Sequence, residues 1–386
     1  MYDPPMLHRR GALLILAVAA AGCSLLTSLD GLTGDDVLGG DGGTVDGSQP
    51  SEDGSSGQGA TDASFTDASA TDAVADAPNP TSVALVVAGG TAWDGGGDRP
   101  PLDSTAAALL YHDGGLGPWL AGPALTFSGV LETRVASVGT RAMVLGAGVL
   151  SAELQASGAL APWEFGTTFP ERFSHCSASA GDAVYLMGGV DGSSTKISLV
   201  NVARVGASPL TWASTSSLPS GRIYLGCAGT STFVYAVGGK DESNTHLDAV
   251  LVATRDATGA LGAWQPTTPL PSAVLGARVV VVGSSLFVVG GGFDALPSTS
   301  VLFATIGSDG KLGAWKGTSA LPVNREGASV AAFGDRLFVT GGAQGAALAE
   351  VFTARVDASG IVGGWNVTTP MPDGRMSHGS AFVVRF

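Results

Sequence analysis

The sequence predicts an all-β protein, a six-bladed propeller with four antiparallel strands in each blade. Glycine accounts for 58 of the 386 residues and only 13% of the residues are charged. This composition favours short strands and tight turns over long solvated helices. After residue 80 the chain repeats six times with a period of about fifty residues, and tryptophans recur at that period. A period near fifty with four strand-like segments is typical of propeller blades.

The N-terminal segment has the three parts of a secretory signal. Arg9 and Arg10 precede an apolar run, and small residues then lead to Cys23. The run is shorter than the roughly 20 apolar residues that span a bilayer, so we expect cleavage rather than a transmembrane helix. Residues 1–22 are therefore predicted to be a signal peptide, with translation starting at Met1 or Met6.

The sequence AAGC at residues 20–23 resembles the bacterial lipobox. The resemblance implies a lipoprotein that is cleaved before Cys23 and acylated on its thiol, and Ser24 after it implies sorting to the outer membrane. Several acyl chains give stable membrane anchoring. The protein is thus expected to be exported and lipid-anchored to the bacterial outer membrane, facing the periplasm or the surface. The alternative is an ordinary leader with a chance cysteine.

Residues 23–80 are predicted to be a disordered tether that follows the lipidated Cys23. Between Ser24 and Pro80 the chain has eleven acidic residues, no Lys or Arg, and one aromatic residue. Such a segment buries too little apolar surface to offset the entropy lost on ordering. The tether carries most of the net charge of −14. No basic cluster remains that could bind phosphates, so nucleic acid is not an expected partner.

Residues 81–386 contain the repeats. A unit begins with a strand of small residues, passes a polar turn, and enters an apolar strand that ends at a glycine pair. Two more strands follow, the last marked by tryptophan. Arg172, Arg222 and Arg325 each begin a unit, sixteen residues before the first glycine of its pair, whereas Val274 begins the fifth unit.

The two ends of the repeat region complement each other. The first unit starts directly at its second strand, SVALVVAGG, while residues 375–386 form a first strand that has no second. Pairing these strands would remove exposed sheet edges. We therefore expect the C-terminal strand (375–386) to complete the first blade and close a monomeric ring.

The units resemble Kelch repeats in their early arginine, their strand closed by Gly-Gly, and their tryptophan about 25 residues later. The resemblance implies a Kelch-type propeller with a galactose oxidase-like fold. The second unit departs from the pattern, with VLGAG in place of a glycine pair.

The loop between the second and third strands of each blade should open on the same face as the links between blades. This face combines guanidinium, carboxylate, amide and aromatic groups, which suit carboxylates, sugar rings and cations. For any one arginine the alternative is a structural bridge to backbone carbonyls or neighbouring acids. The side chains predicted to contact a ligand are Trp93, Arg172, Arg222, Tyr224, Lys240, Asp241, Glu242, Phe293, Asn324, Arg325, Glu326 and Arg375.

Arg134 and Arg278 occupy the same place in the first strands of opposite blades. They either face the axial channel and hold an anion or water, or take part in a buried salt bridge. Cys176 and Cys227 are expected to be small buried hydrophobes rather than a disulfide, since alternation along a strand would direct them to opposite faces.

Three functions are open: a binding module for protein, peptide or glycan, a scaffold in an envelope assembly, and an enzyme. Resemblance to periplasmic sialic-acid epimerases of the Kelch type would imply Glu242 or Glu326 acting with Arg325. Copper chemistry of the galactose oxidase kind is not expected, because Tyr185 and Tyr235 lie in core positions without a neighbouring cysteine. The sequence favours the binding module and assigns no catalytic residue, metal or cofactor.

Overall fold

A computed structural model describes residues 82–386 apart from 97–98, 127–131, 147, 167–171, 205–210 and 294–295. For residues 293, 296 and 297 only the backbone is described. The predicted signal peptide, Cys23 and the tether lie outside these residues. The described part of the chain contains no helix, and so none long and apolar enough to cross a membrane.

Six antiparallel four-stranded sheets form a β-propeller, which confirms the predicted fold. Blade 1 consists of β1 (Ser82–Ala88), β2 (Thr105–Leu110), β3 (Leu116–Ala121) and the last strand of the chain, and blade 2 of β4 (Arg134–Val138), β5 (Arg141–Leu145), β6 (Val149–Glu153) and β7 (Glu164–Phe165). Blade 3 consists of β8 (Cys176–Ala180), β9 (Ala183–Met187), β10 (Val200–Arg204) and β11 (Trp212–Thr215).

Blade 4 and blade 5 each carry a short ribbon beside the main sheet. In chain order the strands are β12 (Arg222–Ile223), β13 (Gly226–Gly229), β14 (Phe233–Val237), β15 (Lys240–Asp241), β16 (Val250–Thr254), β17 (Gln265–Pro266), β18 (Val274–Leu275), β19 (Arg278–Val282), β20 (Ser285–Val289), β21 (Gly292–Phe293), β22 (Leu296–Pro297), β23 (Val301–Thr305) and β24 (Lys316–Gly317). The ribbons pair β12 with β15, and β21 with β18 and β22. Blade 6 follows with β25 (Ser329–Phe333), β26 (Arg336–Thr340), β27 (Val351–Arg355) and β28 (Asn366–Thr368), and the chain ends with β29 (Gly379–Arg385).

The last strand closes the ring. β29 is the innermost strand of blade 1 and pairs with β1 from Ser82 opposite Arg385 to Ala88 opposite Gly379. Phe382 and Val383 are buried in the apolar layers on either side of this blade. The prediction that the C-terminal strand completes the first blade is therefore confirmed.

The recurring tryptophans join adjacent blades. In five of the six, the indole N–H donates to a main-chain carbonyl where the outer strand of the preceding blade ends. The pairs are Trp119 with Thr369, Trp163 with Pro123, Trp264 with Ser216, Trp315 with Thr268 and Trp365 with Ser319, at 2.9–3.1 Å. The indole ring is thus held at five of the six seams between blades, which explains why tryptophan recurs at the period of the blade.

The glycine pairs lie where neighbouring blades approach closely. Gly188 and Gly189 have φ values of 65° and 99°, a left-handed region that favours glycine. A Cβ on Gly188 would lie 2.5 Å from the carbonyl oxygen of Arg222 in the next blade. The N–H of Gly189 donates to that same oxygen at 2.9 Å. Side chains at the pair would therefore separate the blades.

Cys176 and Cys227 form a disulfide between blades 3 and 4, so the expectation of two free cysteines is wrong. Their Cα atoms lie 5.9 Å apart. Cys176 is the first residue of β8 and Cys227 the second residue of β13, so they point to opposite faces of their own sheets. Adjacent blades pack face to face, and opposite faces are therefore the ones that meet. The two cysteines do point to opposite faces as predicted, but this orientation permits the disulfide instead of excluding it.

Reducing this disulfide should lower the free energy of unfolding by about 2–4 kcal/mol, because the cross-link restricts the unfolded chain over a separation of 51 residues. Urea unfolding of the oxidised and reduced protein measures the difference. A variant with both Cys176→Ala and Cys227→Ala should match the reduced protein and should not respond to reductant. Equal unfolding midpoints for the oxidised and reduced wild type would contradict the prediction.

Candidate functional site

The four arginines predicted to contact a ligand are buried inside their blades. Arg172, Arg222, Arg325 and Arg375 are at most 4% exposed. The guanidinium group of each donates to the carbonyl of the first glycine in the pair of its own blade, at 2.9–3.5 Å. In Arg172, Arg222 and Arg325 that glycine lies sixteen residues further along the chain, which is the spacing seen in the sequence.

A second set of contacts ties three of these arginines to the third strand or to the residue before it. Arg172 donates to the carbonyl of Leu199 at 3.2 Å and Arg375 to that of Ser104 at 3.1 Å. Arg325 also forms an ion pair with Glu350 and stacks over Phe352 at 4.2 Å. These contacts give the guanidinium groups a structural role within each blade, and ligand contact by them stays a prediction.

Most of the other predicted residues whose side chains are described are half-buried. Lys240 and Asp241 make up β15, which pairs with β12 of the same blade. Glu242 is exposed and accepts the N–H of Gly221 at 2.7 Å. Glu326 pairs through its backbone with Ala343. The ion pair of Arg325 is with Glu350 and not with either glutamate named for epimerase-like chemistry.

Loops from different blades are connected on this side of the ring. The ammonium group of Lys196 in blade 3 donates to the carbonyl of Asp241 at 2.6 Å and to the side chain of Asn244 at 2.7 Å, both in blade 4. In blade 1 the indole of Trp93 lies under the guanidinium of Arg99 at 4.4 Å. Asn324 is half-buried, and Phe293 is described only by its backbone in β21.

A series of main-chain hydrogen bonds surrounds the central axis where the inner strands begin. Tyr224 donates to Ser174 at 3.0 Å, and Gly276 donates to Tyr224 at 2.8 Å. On the other side of the ring Ser377 donates to Gly327 at 2.7 Å. All five residues have φ values between 54° and 67°. This conformation is unusual for a residue as bulky as tyrosine, and it was not foreseen from the sequence because no residue type is common to the position.

A cavity of about 70 Å³ lies at the same level, and we call it the axial cavity. Its wall includes the first residue of the inner strand of every blade. Each of these residues pairs with the last residue of the second strand of its blade, directly before the glycine pair or, in blade 2, its equivalent. Two of these six residues are arginines from opposite blades. In ring order the six are Gly379, Arg134, Cys176, Gly226, Arg278 and Ser329.

The pKa values of both arginines of the axial cavity are lowered. Burial and, to a smaller extent, the charge of Arg134 lower the pKa of Arg278 to about 9, against the opposing effect of Glu132. Burial also lowers the pKa of Arg134, against the opposing effects of Glu132 and Tyr224. The sequence singled out both arginines and left two alternatives for them.

The hydrogen bonds of these arginines go to main-chain oxygens. Arg278 Nε donates to the carbonyl of Ala328 at 2.6 Å, and Arg134 Nη1 donates to that of Thr133 at 3.2 Å. Among the described residues, no ion pair includes either arginine. The salt bridge considered from the sequence is therefore not formed within the described part, and the structure places both arginines at the axial channel.

Two buried histidines lie beside the axial cavity, each directly before one of its wall residues. His175 donates from Nδ1 to the carbonyl of Arg172 at 3.2 Å, and His378 Nε2 shares a hydrogen bond with the hydroxyl of Thr340 at 2.8 Å. Burial, together with the charges of Arg134 and Arg172, lowers the pKa of His175 to about 3, against the opposing effect of its hydrogen bond to the Arg172 carbonyl. Burial and three arginines lower the pKa of His378 well below its usual value. Both imidazoles are therefore neutral at physiological pH.

The tyrosines considered for copper chemistry act within the core. The hydroxyl of Tyr185 donates to the carbonyl of Gly259 at 2.6 Å, and that of Tyr235 donates to Gly310 at 2.9 Å. Each bond joins a second strand to a turn of the following blade. The described residues contain no group of three or more His, Cys, Asp or Glu arranged to hold a metal ion.

Comparison with known proteins gives a likeness of structure alone. The chain matches no protein-family model and no curated protein. Among solved structures it is similar to one titled "Structure of YjhT", with a TM-score of 0.55 and 15% sequence identity. The match covers 76% of this chain and 98% of the other. The likeness is one of fold. It supports the propeller architecture and says nothing about the ligand.

Proposed function

We propose that this protein is a cell-envelope lipoprotein, anchored through Cys23, whose propeller binds a polar glycan or peptide. The ligand would bind on the loop face, which we define as the described residues of the loops at 91–104, 190–199, 240–249, 291–300 and 343–350, without 97–98 and 294–295, together with the described links into the inner strands. Propellers commonly use such loops for binding, and the Kelch-like repeats of the sequence agree with this role.

The observation that carries the proposal is the difference between the two faces. Turns on the opposite face repeat the same local design: Asp256 accepts N–H groups of Thr258 and Ala260, and Asp357 accepts those of Ser359 and Ile361. On the loop face, Asp191 and Asp241 hold similar turns in blades 3 and 4, but the loops of blades 1 and 6 have other hydrogen-bond patterns. The loop face therefore varies around the ring. It surrounds the axial cavity, and irregular polar loops on a rigid scaffold are where binding residues concentrate.

The test is a screen of the full chain against glycan and envelope-peptide arrays. Trp93→Ala and Lys240→Glu should each weaken binding of a ligand found there by ~10-fold or more, since aromatic anchors and charge contacts dominate binding energy. Lys316→Glu, on the exposed outer strand β24, is the matched control and should not change the affinity. Cys23→Ala should move the protein from the membrane to the soluble fraction.

Two results would count against the proposal. The first is the absence of any ligand on either array. The second is a ligand whose affinity is the same in wild type, Trp93→Ala and Lys240→Glu, because that ligand would bind elsewhere on the protein.

A further inference from the structure

We propose that the axial cavity binds one carboxylate group, held between Arg134 and Arg278. This inference rests on the proposed function for the remainder of the ligand, which would extend onto the loop face. It names the chemical group that the binding module recognises at its centre.

The shape of the cavity follows from the residues at its six equivalent positions. Arg134 and Arg278 come from blades 2 and 5, which stand opposite each other in a ring of six. The other four positions hold the small residues Gly379, Cys176, Gly226 and Ser329. Larger side chains there would fill the mouth of the channel. The small residues leave space between two long cationic side chains.

The charge of the cavity calls for an anion. Both arginines are half-buried, and withdrawing a guanidinium from water is costly unless it is paired and hydrogen-bonded. Each guanidinium has five N–H donors, and the contacts found for these two use a single main-chain oxygen each. Arg134 Nε is buried and has no hydrogen-bond partner among the described residues. Donors therefore remain for a ligand.

The balance of charges favours a monoanion over a dianion. Two guanidinium groups contribute two positive charges. Glu132 contributes one negative charge, which opposes the lowering of the pKa of both arginines by burial. The neighbouring His175 and His378 are neutral, because burial and the arginines lower their pKa values. A single negative charge would neutralise the site. A phosphate dianion would make the net charge of the site negative and would be repelled by the carboxylate of Glu132.

The size and the geometry point to a carboxylate. A protein cavity of about 150 Å³ holds one benzene molecule, so a volume of about 70 Å³ suits a carboxylate group better than a sugar ring. A planar carboxylate matches the fork of a guanidinium and can accept two parallel hydrogen bonds from it. The rest of an acidic ligand would have to remain outside, above the cavity.

The wall of the cavity is held in place before any ligand arrives. The disulfide between Cys176 and Cys227 joins two of its blades. Arg278 is oriented by its bond to Ala328, and the main-chain bonds through Tyr224 link blades 3, 4 and 5 where their inner strands begin. A site organised in advance loses less entropy on binding than a flexible one.

The experiment titrates the full chain with acetate and follows binding by calorimetry and by the NMR signals of ¹³C-labelled acetate. Acetamide, which has nearly the same shape and no charge, is the ligand control. We expect saturable binding of acetate and none of acetamide. Arg134→Gln and Arg278→Gln should each weaken acetate binding at least ~10-fold, the equivalent of about 1.4 kcal/mol. Arg141→Gln, at a half-exposed position that pairs with Glu164, should bind as wild type does.

A second pair of variants keeps the test decisive if the glutamine variants do not fold. Arg134→Lys and Arg278→Lys retain the charge and lose the planar fork, so acetate should bind more weakly than to wild type. Thermal unfolding confirms that each variant is folded. The proposal is overturned if acetate does not saturate, if the substitutions leave its affinity unchanged, or if inorganic phosphate binds more tightly than acetate.

The result can be separated from that of the proposed function. If a ligand from the arrays loses affinity in Lys240→Glu but binds Arg134→Gln and Arg278→Gln like wild type, the loop face binds and the carboxylate site is wrong. If acetate binds as described but no array ligand responds to the loop variants, the carboxylate site stands and the proposed function fails. Comparison of acetate with glucuronate and an acidic peptide distinguishes a free small acid from the acidic group of a larger ligand.

Discussion

Deleting residues 375–386 should abolish folding of the propeller, and moving the final strand ahead of Ser82 should restore it. The deletion removes β29, the innermost strand of blade 1, and leaves the whole inner edge of β1 unpaired. It also removes Arg375, which is completely buried and donates to the carbonyls of Gly89 and Ser104. These losses together should exceed the roughly 5–15 kcal/mol by which a domain is normally stable.

The rescue variant uses the register of the closing strands. Arg385 lies opposite Ser82 in an antiparallel pair, so the end of β29 and the start of β1 are adjacent. In the variant, residues 1–81 are followed by 375–385, then Asn-Gly, then 82–374. Asn-Gly is the preferred two-residue turn for joining such strands. Blade 1 then contains the same four strands with a different connection.

Far-UV circular dichroism, urea unfolding and limited proteolysis distinguish the variants. The deletion variant should show no cooperative unfolding and should be digested rapidly, whereas the rearranged chain should unfold cooperatively at a urea concentration close to that of wild type. Cooperative unfolding of the deletion variant near the wild-type midpoint would show that closure by β29 contributes little to stability.

The fold was predictable from the sequence because the bonds that build it are themselves repeated. The spacing of sixteen residues records the bond from a guanidinium to a glycine carbonyl, for example from Arg172 to Gly188. The spacing of tryptophans records the bond from an indole to the preceding blade, as between Trp264 and Ser216. A contact that is made once in every blade produces a periodic pattern of residues in the sequence, and such a pattern can be recognised without coordinates.

The candidate site was less predictable because its contacts occur once. The recurrence of the starting arginines is equally compatible with a structural and a ligand-binding role, and only their burial separates the two. The disulfide depends on the facing sides of two different blades, which alternation within each strand does not specify. Arg134 and Arg278 could be placed opposite each other from their equivalent positions. Whether an acid would pair with them could not be inferred, since that depends on the distance across the channel.

Lowering the pH from 7 to 4 should destabilise the protein strongly through His175 and His378. Both imidazoles are buried next to arginines and stay neutral in the folded state, with a pKa of about 3 for His175 against 6.5 in an unfolded chain. Between these values the unfolded state binds more protons than the folded state, so the free energy of unfolding falls as the pH falls. His175 alone should cost about 3 kcal/mol between pH 6.5 and pH 4, at 1.36 kcal/mol for each pH unit. His378 acts in the same direction, because burial and the neighbouring arginines also lower its pKa.

The pH window separates the histidines from the carboxylates. The pKa of Asp182 is lowered chiefly by its hydrogen bond from Arg204, so its stabilising effect is lost only as the pH falls below its usual value of 3.8. His175→Asn can retain the donor to the carbonyl of Arg172, and His378→Gln can retain the bond to Thr340, without titrating. Urea unfolding of the double variant between pH 7 and 4 should show a much shallower decline than wild type. His112→Asn, at an exposed position, should decline as steeply as wild type. The measured quantity is the slope of the free energy of unfolding against pH, so a variant that is less stable at every pH still decides the question. Equal slopes in wild type and double variant would show that these imidazoles titrate normally in the folded protein.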